Sequence, residues 1–408
     1  MTMASNRLIT SIDIGTTKIC VLVAHVLEHG HFELLGIGKA PSDGLRKGVV
    51  VDVARTIHSI KRAVQEAEIM SGVSIESAYI GISGGHIRSV NSLGMVPIKS
   101  GQVKQYDIEN ALAAARAIIV PEGYQILHVL PHYFIIDGRE KLHDPRDMHG
   151  IRLEVQAHII MGGISSVQNL IKCCQAAGVA VQDVILEQLA SADAVLSEDE
   201  RQLGVAMLDI GGGTSDLALY QQGSIRHTMV LPVAGNHFTN DLAIGLRTTL
   251  KDAERVKREH GSVMLDLLQN ESPIEVELVH GHEGRHVKLA ELTYILHPRA
   301  QEVLALVQEE MIKHKLHAFM NAGLVLTGGG SLLKGMKELA QEMFDVPVRI
   351  GNPRIEYNLP QALDSPIYAT GYGLLVHALK QRGSINAGSG PLLARVFSRM
   401  KSWVSDFF

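Results

Sequence analysis

The sequence predicts an α/β protein of two related lobes, the first of which carries an inserted subdomain. A pattern of three strands joined by two turns begins at Ile9 and occurs again from Val205. Internal duplication of this kind indicates two lobes of related fold. Between the repeats, residues 84–163 have a different character. The length of 408 residues also exceeds what one compact core usually accommodates.

In the first repeat, we expect buried strands at residues 9–14, 19–26 and 32–37, because apolar runs there are separated by turn residues. A helix is predicted at 53–70, where apolar residues recur every three or four positions. A short buried strand at 78–83 completes this part of the chain.

The second repeat predicts strands at residues 205–210, 217–220 and 225–230. Asp13 and Asp209 occupy equivalent places, each at the end of the first strand of its repeat. The two aspartates are therefore expected to face corresponding turns.

The segment between the repeats contains a predicted helix at 106–118 and strand-like runs at 125–130, 133–136 and 151–161. A helix with several strands is enough for a small subdomain. The rest of the chain predicts helices at 163–177, 242–261, 292–316 and 331–344, a strand at 324–326, and a polar, loop-rich segment at 270–290. Pro298 is expected to mark the true start of the third of these helices.

Composition narrows the class of protein. Hydrophobic residues make up 46% and charged residues 20%, ordinary values for a soluble globular chain. The net charge of −5 gives no reason to expect a nucleic-acid partner. The three cysteines show no metal spacing and are interpreted as reduced thiols, and the twenty histidines form no HExxH cluster and are not expected to be ligands. We expect no secretory signal and no membrane-spanning run.

Two glycine-rich turns are candidate phosphate sites. Such turns let amide N–H groups point into one bend, where an anion can bind. The predicted phosphate-binding residues are Gly15, Thr16, Thr17 and Lys18 in the first turn, and Gly211, Gly212, Gly213 and Thr214 in the second. Asp13 and Asp209 head the two turns and are candidate Mg²⁺ ligands, directly or through water.

Either turn alone is more often a simple hairpin, but a third element favours a nucleotide site. Gly328, Gly329 and Gly330 lie between a predicted strand and a helix, where a ring or a sugar could approach the backbone closely. No GxxxxGK[ST] P-loop is present, so the phosphate chemistry is of another type.

At these residues the chain resembles the superfamily of actin, heat-shock chaperone ATPases and sugar kinases. The three turns resemble its two phosphate motifs and its adenosine motif. Residues 187–192 and 369–373 resemble its two connecting helices. The resemblance implies two domains hinged around ATP and Mg²⁺. Glu254 and Lys257 match an AExxK helix of prokaryotic actins that approaches the ribose; the alternative is a solvated charge pair.

The sequence is most similar to the FtsA family of bacterial actin-like cell-division proteins, through most of residues 7–380. The motifs that carry this resemblance include residues 209–217, 324–331 and the Ala234-Gly235-Asn236 stretch, which adds Gly235 and Asn236 to the candidate nucleotide site. The resemblance implies an actin-like two-lobed ATPase fold with an FtsA-type 1C subdomain inserted in the first lobe.

The resemblance also implies where the family's subdomains begin and end in this chain. Subdomain 1A is expected at 1–83 and 164–200, 1C at 84–163, 2A at 201–240, 2B at 241–300, and 2A with a return to 1A at 301–380. A flexible Gly- and Ser-rich linker is expected at 381–391, followed by an amphipathic membrane-targeting helix at 392–408.

The tail has one apolar stripe and one basic face. The stripe consists of Leu393, Val396, Phe397, Met400, Trp403, Val404 and Phe407; Arg395, Arg399, Ser402 and Asp406 lie opposite, with Lys401 on the flank. About 15 helical residues span only about 22 Å, too little to cross a bilayer upright. Aromatic residues opposite arginine are typical of a helix that lies in the lipid interface. The alternative is a helix docked on its own protein.

The resemblance implies a function as well as a fold. An FtsA-like protein would polymerise with ATP on the cytoplasmic face of the inner membrane at the division septum, tether the FtsZ ring and help recruit later division proteins. Arg285, Lys288 and Arg299 are candidate contacts for the acidic C-terminal peptide of FtsZ. Glu187 matches a water-orienting glutamate of bacterial actins, but some relatives lack an acid there, so ATP hydrolysis stays open.

Three other functions fit the same superfamily. A PilM-like pilus-assembly adaptor shares the insert but normally lacks the amphipathic tail. A small-molecule kinase needs a substrate-activating carboxylate in a closed pocket, and a membrane-binding tail would be unusual for such an enzyme. A chaperone ATPase would need a substrate-binding domain after the nucleotide domain.

Overall fold

The computed structural model describes residues 7–27, 31–268, 272–279, 284–354 and 360–386. The predicted membrane helix and the last part of the predicted linker lie outside these ranges. Within the described residues, no helix is both long enough and apolar enough to cross a bilayer.

The described helices and strands follow the chain in an order that repeats a three-strand unit. The helices are α1 Val53–Ser71, α2 Gln105–Arg116, α3 Ile164–Ala176, α4 Glu187–Val195, α5 Glu198–Leu203, α6 Gly235–Leu246, α7 Leu250–His260, α8 Leu289–Lys313, α9 Met336–Phe344 and α10 Ala369–Asn386. The strands are β1 Leu8–Ile14, β2 Lys18–Val26, β3 Phe32–Pro41, β4 Leu45–Arg46, β5 Val49–Val50, β6 Ser77–Ile82, β7 Ile87–Pro97, β8 Tyr124–Ile136, β9 Lys141–Leu142, β10 Arg152–Gly163, β11 Ala180–Leu186, β12 Val205–Ile210, β13 Ser215–Gln221, β14 Ser224–Leu231, β15 Ile274–Glu277, β16 Gly284–Val287, β17 Leu324–Thr327 and β18 Val348–Ile350.

Two five-stranded sheets form the centres of the two lobes. Their strand orders are β11-β6-β1-β2-β3 and β14-β13-β12-β17-β18. In each sheet three antiparallel strands come from one repeat and two parallel strands are added beside its first strand. The duplication predicted from the sequence is therefore confirmed, and the first strands of the repeats, β1 and β12, lie at the centre of their sheets.

Burial explains why these central strands read as unbroken apolar runs. Most side chains of β1, β2, β12 and β13 are buried, on both faces of their sheets. One apolar cluster packs α1 and α3 against the first sheet, and another packs α6 to α9 against the second. A third cluster joins α4 and α10 to both sheets and holds the lobes together.

The inserted segment forms its own sheet, in the order β7-β10-β8-β9, with α2 packed on it around a separate apolar core. The sequence predicted two strands where the structure has the single strand β8. The register against β10 shifts beside Gln156, so that His132 is an extra residue in β8. This bulge, next to Pro131, breaks the period-two pattern and explains the mistaken division.

The predicted start of α8 at Pro298 is wrong, because the helix begins at Leu289 and contains the proline. A proline inside a helix removes one hydrogen bond. Buried side chains on both sides of it, among them Leu296 and Ala300, keep the helix packed through this position. Tertiary packing therefore overrides the local helix-stop signal.

Four further sequence predictions need correction. Residues 242–261 form two helices, because the backbone of Arg247 is left-handed (φ 56°) and ends α6. The loop-rich segment contains the β15–β16 hairpin. The helix predicted from Ser331 begins only at Met336, after a short 3₁₀ turn. The helix α10 continues to Asn386, so the first residues of the predicted linker are helical. Because α10 packs along α4, the helix continues through Gly383 despite the glycine.

Candidate nucleotide site

The two glycine-rich turns meet face to face between the lobes. The first joins β1 to β2, and the second joins β12 to β13. A Cβ atom on Gly213 would lie 2.4 Å from Thr16 Oγ1, and one on Gly212 would lie 2.3 Å from Thr17 Cγ2. Only glycine leaves room for this approach. The structure thus brings both predicted phosphate turns into one site.

Four carboxylates converge at this junction. Asp13, Asp209 and Asp216 are buried, with 6%, 7% and 3% of their surface exposed, and Glu187 at the start of α4 joins them. Burial and the neighbouring aspartates raise the pKa of Glu187 well above its usual value. Burial, followed by the Asp209 charge, raises the pKa of Asp216 to about 7. Burial also raises the pKa of Asp209.

One basic side chain partly balances this acidic cluster. Lys18 Nζ lies 3.1 Å from Asp13 Oδ2. Burial acts to lower the pKa of Lys18, but the charge and hydrogen bond of Asp13, together with the neighbouring Cys20 and Tyr368, exceed it, so the pKa is raised and the amine stays charged. Four acids around one ammonium leave an excess of oxygen ligands, the donor set that a hard cation such as Mg²⁺ prefers.

Hydroxyl groups hold the second-lobe aspartates in place. Ser191 Oγ donates to Asp209 Oδ2 at 2.6 Å, and Thr370 Oγ1 donates to the same oxygen at 3.3 Å. The Ser83 hydroxyl donates to Asp216, as does Thr214 at 3.0 Å. These hydrogen bonds fix the carboxylates without neutralising them.

The third glycine-rich element lies directly behind the second turn. The strand β17 runs parallel to β12, with Thr327 opposite Asp209. Gly328 has a left-handed backbone (φ 77°), and a Cβ atom there would lie 2.2 Å from Asp209 Oδ1 and 2.7 Å from the Ile210 carbonyl. A Cβ atom on Gly330 would lie 2.3 Å from Ile210 Cγ2. The predicted adenosine element and the second turn are therefore one packed unit.

The N-terminus of α6 closes the other side of the second turn. Gly235 N donates to Gly211 O at 3.0 Å, and Asn236 N donates to Gly212 O at 2.8 Å. Lys257 Nζ donates to the Gly235 carbonyl at 3.1 Å.

The predicted ribose pair on α7 is formed and lies beside this helix start. Lys257 Nζ is 2.7 Å from Glu254 Oε2 and 2.8 Å from Thr239 Oγ1. The pair is thus held on the first turns of α6 and is not a freely solvated charge pair.

The two connecting helices, α4 and α10, pack against each other beside the site. A Cβ atom on Gly373 would lie 1.8 Å from the Ala190 carbonyl, so the backbones touch there. At the start of α10, the Gly371 carbonyl accepts a hydrogen bond from Ser11 on β1. Thr370 reaches Asp209 on β12, so α10 contacts both lobes.

Several site residues were missed from the sequence. Asp216 lies opposite Asp209 in the register of β12 and β13, whereas Cys20 lies opposite Asp13 in the first repeat, so the duplication gave no signal for this acid. Ser191 and Thr370 lie in the segments that resemble the connecting helices, but those segments gave them no role, and Ser83 belongs to no motif.

The predicted basic contacts on the second lobe do not form one cluster of solvated charges. Arg285 is exposed on β16 and pairs with Glu291, and Lys288 is exposed at the start of α8. Arg299 binds Asp241 through two nitrogens and also contacts Glu302. Its charge is already balanced by acids of this chain.

An actin-like, two-lobed fold is defined by two duplicated sheets with facing turns, a carboxylate cluster and two connecting helices in contact. Solved structures agree with this class. The PilM–PilN type IV pilus biogenesis complex superposes with a TM-score of 0.65 at 17% identity, covering 91% of this chain and 98% of that one. MreB5 of Spiroplasma citri bound to ADP gives a TM-score of 0.58 at 17% identity, covering 94% and 100%.

Sequence comparison identifies the family. The model of cell division protein FtsA matches residues 206–373, and the model of the SHS2 domain inserted in FtsA matches 84–161. Cell division protein FtsA of Pseudomonas aeruginosa is 42% identical over 99% of both chains. The Escherichia coli protein is 36% identical over 98% of this chain and 96% of its own. This chain belongs to the FtsA family of cell division proteins.

Proposed function

We propose that this chain binds ATP with Mg²⁺, polymerises on the cytoplasmic membrane and tethers the FtsZ ring to it at the septum. The observation that carries the nucleotide part is the meeting of two phosphate-type turns at a cluster of four carboxylates. Family membership supports the division role and favours it over a pilus adaptor or a small-molecule kinase.

The nucleotide would bridge the lobes. Backbone amides of the two turns would hold its phosphates, Gly328–Gly330 would border the adenosine, and Glu254 with Lys257 would face the ribose. Asp13 and Asp209 would bind Mg²⁺, directly or through water. The cation would supply the positive charge that the acidic cluster lacks. Glu187, whose raised pKa favours the protonated form, would become a proton acceptor for water once a cation is bound.

Membrane attachment would come from residues 392–408. One short amphipathic helix binds a bilayer weakly and reversibly. A polymer would present many such helices on one surface, and the resulting avidity would exceed the affinity of each. Nucleotide binding in the cleft would thus favour membrane binding through assembly, without direct contact between the two sites.

For the FtsZ peptide, the structure favours Arg285 and Lys288 over Arg299. The first two side chains are exposed near the start of α8, where the partner of Arg285 is Glu291, with a side chain that is 42% exposed. Arg299 would have to leave Asp241 and Glu302 before it could bind an acidic peptide. We therefore expect Arg285→Ala and Lys288→Ala to weaken peptide binding more than Arg299→Ala.

Liposome co-sedimentation tests the proposal. The intact chain is incubated with anionic vesicles, with and without ATP and Mg²⁺, beside a truncation after Pro391. Trp403→Asp places a charge on the apolar stripe, and Ser402→Asp places the same charge on the polar face. We expect the intact chain and Ser402→Asp to pellet, more so with ATP, and the truncation and Trp403→Asp to stay in solution.

Equal pelleting of Trp403→Asp and Ser402→Asp would contradict the membrane helix. Pelleting that is independent of ATP and Mg²⁺ would retain the helix but contradict its coupling to nucleotide-driven assembly. Neither result depends on the folded core, because both substitutions lie in the tail.

A further inference from the structure

Two histidines and a glutamate meet on the second lobe, away from the nucleotide cleft. His227 lies on β14, and Glu310 and His314 lie one turn apart near the end of α8. Glu310 Oε1 is 3.1 Å from His227 Nε2 and 3.1 Å from His314 Nε2. The three ligand atoms lie within 4.8 Å of one another.

We propose that His227, Glu310 and His314 form a binding site for a divalent transition-metal ion, with Zn²⁺ the most suitable. Two imidazoles and one carboxylate are a common zinc ligand set, in which a fourth position is filled by water or another molecule. Zinc–ligand bonds of about 2.0–2.1 Å place tetrahedral ligands about 3.4 Å apart. The two nitrogen–oxygen distances are already close to that value.

The backbone supports a fixed geometry. Residues four apart on a helix project from the same face, a spacing that suits two ligands of one ion. Glu310 lies in the last turn of α8, His314 is the residue that caps this helix, and the third ligand comes from a sheet strand. The side chains of His227 and Glu310 are only 11% and 19% exposed, whereas His314 is 42% exposed. An ion could therefore enter from the His314 side.

The site has a place in the architecture. The inserted subdomain packs on β14 through Thr228, whose carbonyl accepts from Ser89 and whose hydroxyl contacts His158 Nε2 at 2.9 Å. His227 is the neighbour of Thr228 on β14, so a metal bound by His227, Glu310 and His314 would link β14 to the end of α8. This link would restrict the motion of the strand against which the inserted subdomain packs.

Ligand chemistry separates this site from the acidic cleft. Imidazole nitrogens favour Zn²⁺, Ni²⁺ and Cu²⁺, whereas carboxylate oxygens favour Mg²⁺. Lys313 Nζ, 3.6 Å from the second oxygen of Glu310, opposes cation binding, but its side chain is 71% exposed and can turn into solvent. The proposal is independent of the proposed nucleotide function.

The test is a zinc titration of the untagged full-length chain in excess Mg²⁺, followed by competition with a chromophoric chelator. We expect the parent chain to bind one equivalent of zinc. His314→Ala and Glu310→Gln should each lower the zinc affinity at least about 10-fold, since even indirect partners of metal ligands have effects of this size. Lys313→Ala, next to both ligands, is the matched control and should bind zinc at least as tightly as the parent.

Cobalt provides a second readout. Co²⁺ in the parent chain and in Lys313→Ala should give the visible absorption of a four-coordinate site, and this band should be absent from His314→Ala. Circular dichroism of each variant confirms that the fold is retained. Zinc stoichiometry and affinity that are equal in the parent, Glu310→Gln and His314→Ala would overturn the proposal and leave a hydrogen-bonded triad with adventitious metal binding only.

Discussion

The two strand–turn–strand units share one backbone design but balance their acidic groups differently. In the first lobe Asp13 lies 3.1 Å from the ammonium of Lys18. In the second lobe Asp209 and Asp216 accept hydrogen bonds from hydroxyl groups, and burial raises the pKa of both. Duplication of a backbone therefore does not duplicate its electrostatics, and the second lobe has more to gain from a bound cation.

The largest effect is expected where the second turn is packed most tightly. In Gly328→Ala, the new Cβ atom meets the Ile210 carbonyl, and alanine must take a positive φ (77°) with a ψ of 169°, a combination that is essentially restricted to glycine, so the turn must shift. We expect loss of nucleotide binding and a decrease of about 2–6 kcal/mol in unfolding free energy, from overpacking and backbone strain together. Urea unfolding and nucleotide titration measure both.

Gly72→Ala is a control for the positive φ alone. Gly72 follows α1 with a φ of 70° and a ψ of 14°, whereas Gly328 has a ψ of 169°, and a Cβ atom on Gly72 would meet nothing within 4 Å. Only the strain of about 1–2 kcal/mol should remain, with nucleotide affinity unchanged. Equal losses in the two variants would show that contact with the second turn is unimportant.

Charge balance in the first lobe is tested by a double-mutant cycle on Lys18 and Asp13. Lys18→Gln leaves the Asp13 carboxylate buried beside other acids, and we expect it to lower the unfolding free energy by about 1–3 kcal/mol. Asp13→Asn in the same chain should restore much of this loss. Additive effects would mean that the two groups do not interact.

The pH dependence of stability reports on the second lobe. A carboxyl group whose pKa is higher in the folded protein binds more protons when folded, so its contribution falls as pH rises. For Asp216 the decline should lie between its ordinary value of 3.8 and about 7. Asp216→Asn should flatten the pH profile of urea unfolding in this range by on the order of 1–4 kcal/mol. An unchanged profile would contradict the raised pKa.

The smallest effect is expected at the ribose pair. Lys257→Met removes the hydrogen bonds to Glu254, Thr239 and the Gly235 carbonyl, and should weaken ATP binding about 10-fold, equivalent to about 1.4 kcal/mol. Lys251→Met makes the same change at an exposed position of α7 and should leave affinity unaltered. Equal ATP affinities in Lys257→Met and Lys251→Met would show that Glu254 and Lys257 do not contribute to nucleotide binding.

Much of the scaffold followed from sequence, because apolar runs and glycine turns are local signals. The limits of β12 were predicted correctly, and the sheet centres followed from the duplication. Pro298 misled the prediction because packing along α8 overrode a local stop signal. Tertiary contacts decide the features that the sequence did not predict. They place the hydroxyls of Ser83, Ser191 and Thr370 beside the aspartates, and they bring His227 to Glu310, 83 residues further along the chain.

ATP titration of the intact chain, with and without Mg²⁺, tests most directly whether the two lobes form one nucleotide site. The account predicts one ATP per chain, with affinity that rises strongly with Mg²⁺ and is lost in Gly328→Ala but retained in Gly72→Ala. An ATP affinity that changes neither with Mg²⁺ nor in Gly328→Ala would contradict a site formed by the facing turns and their carboxylates.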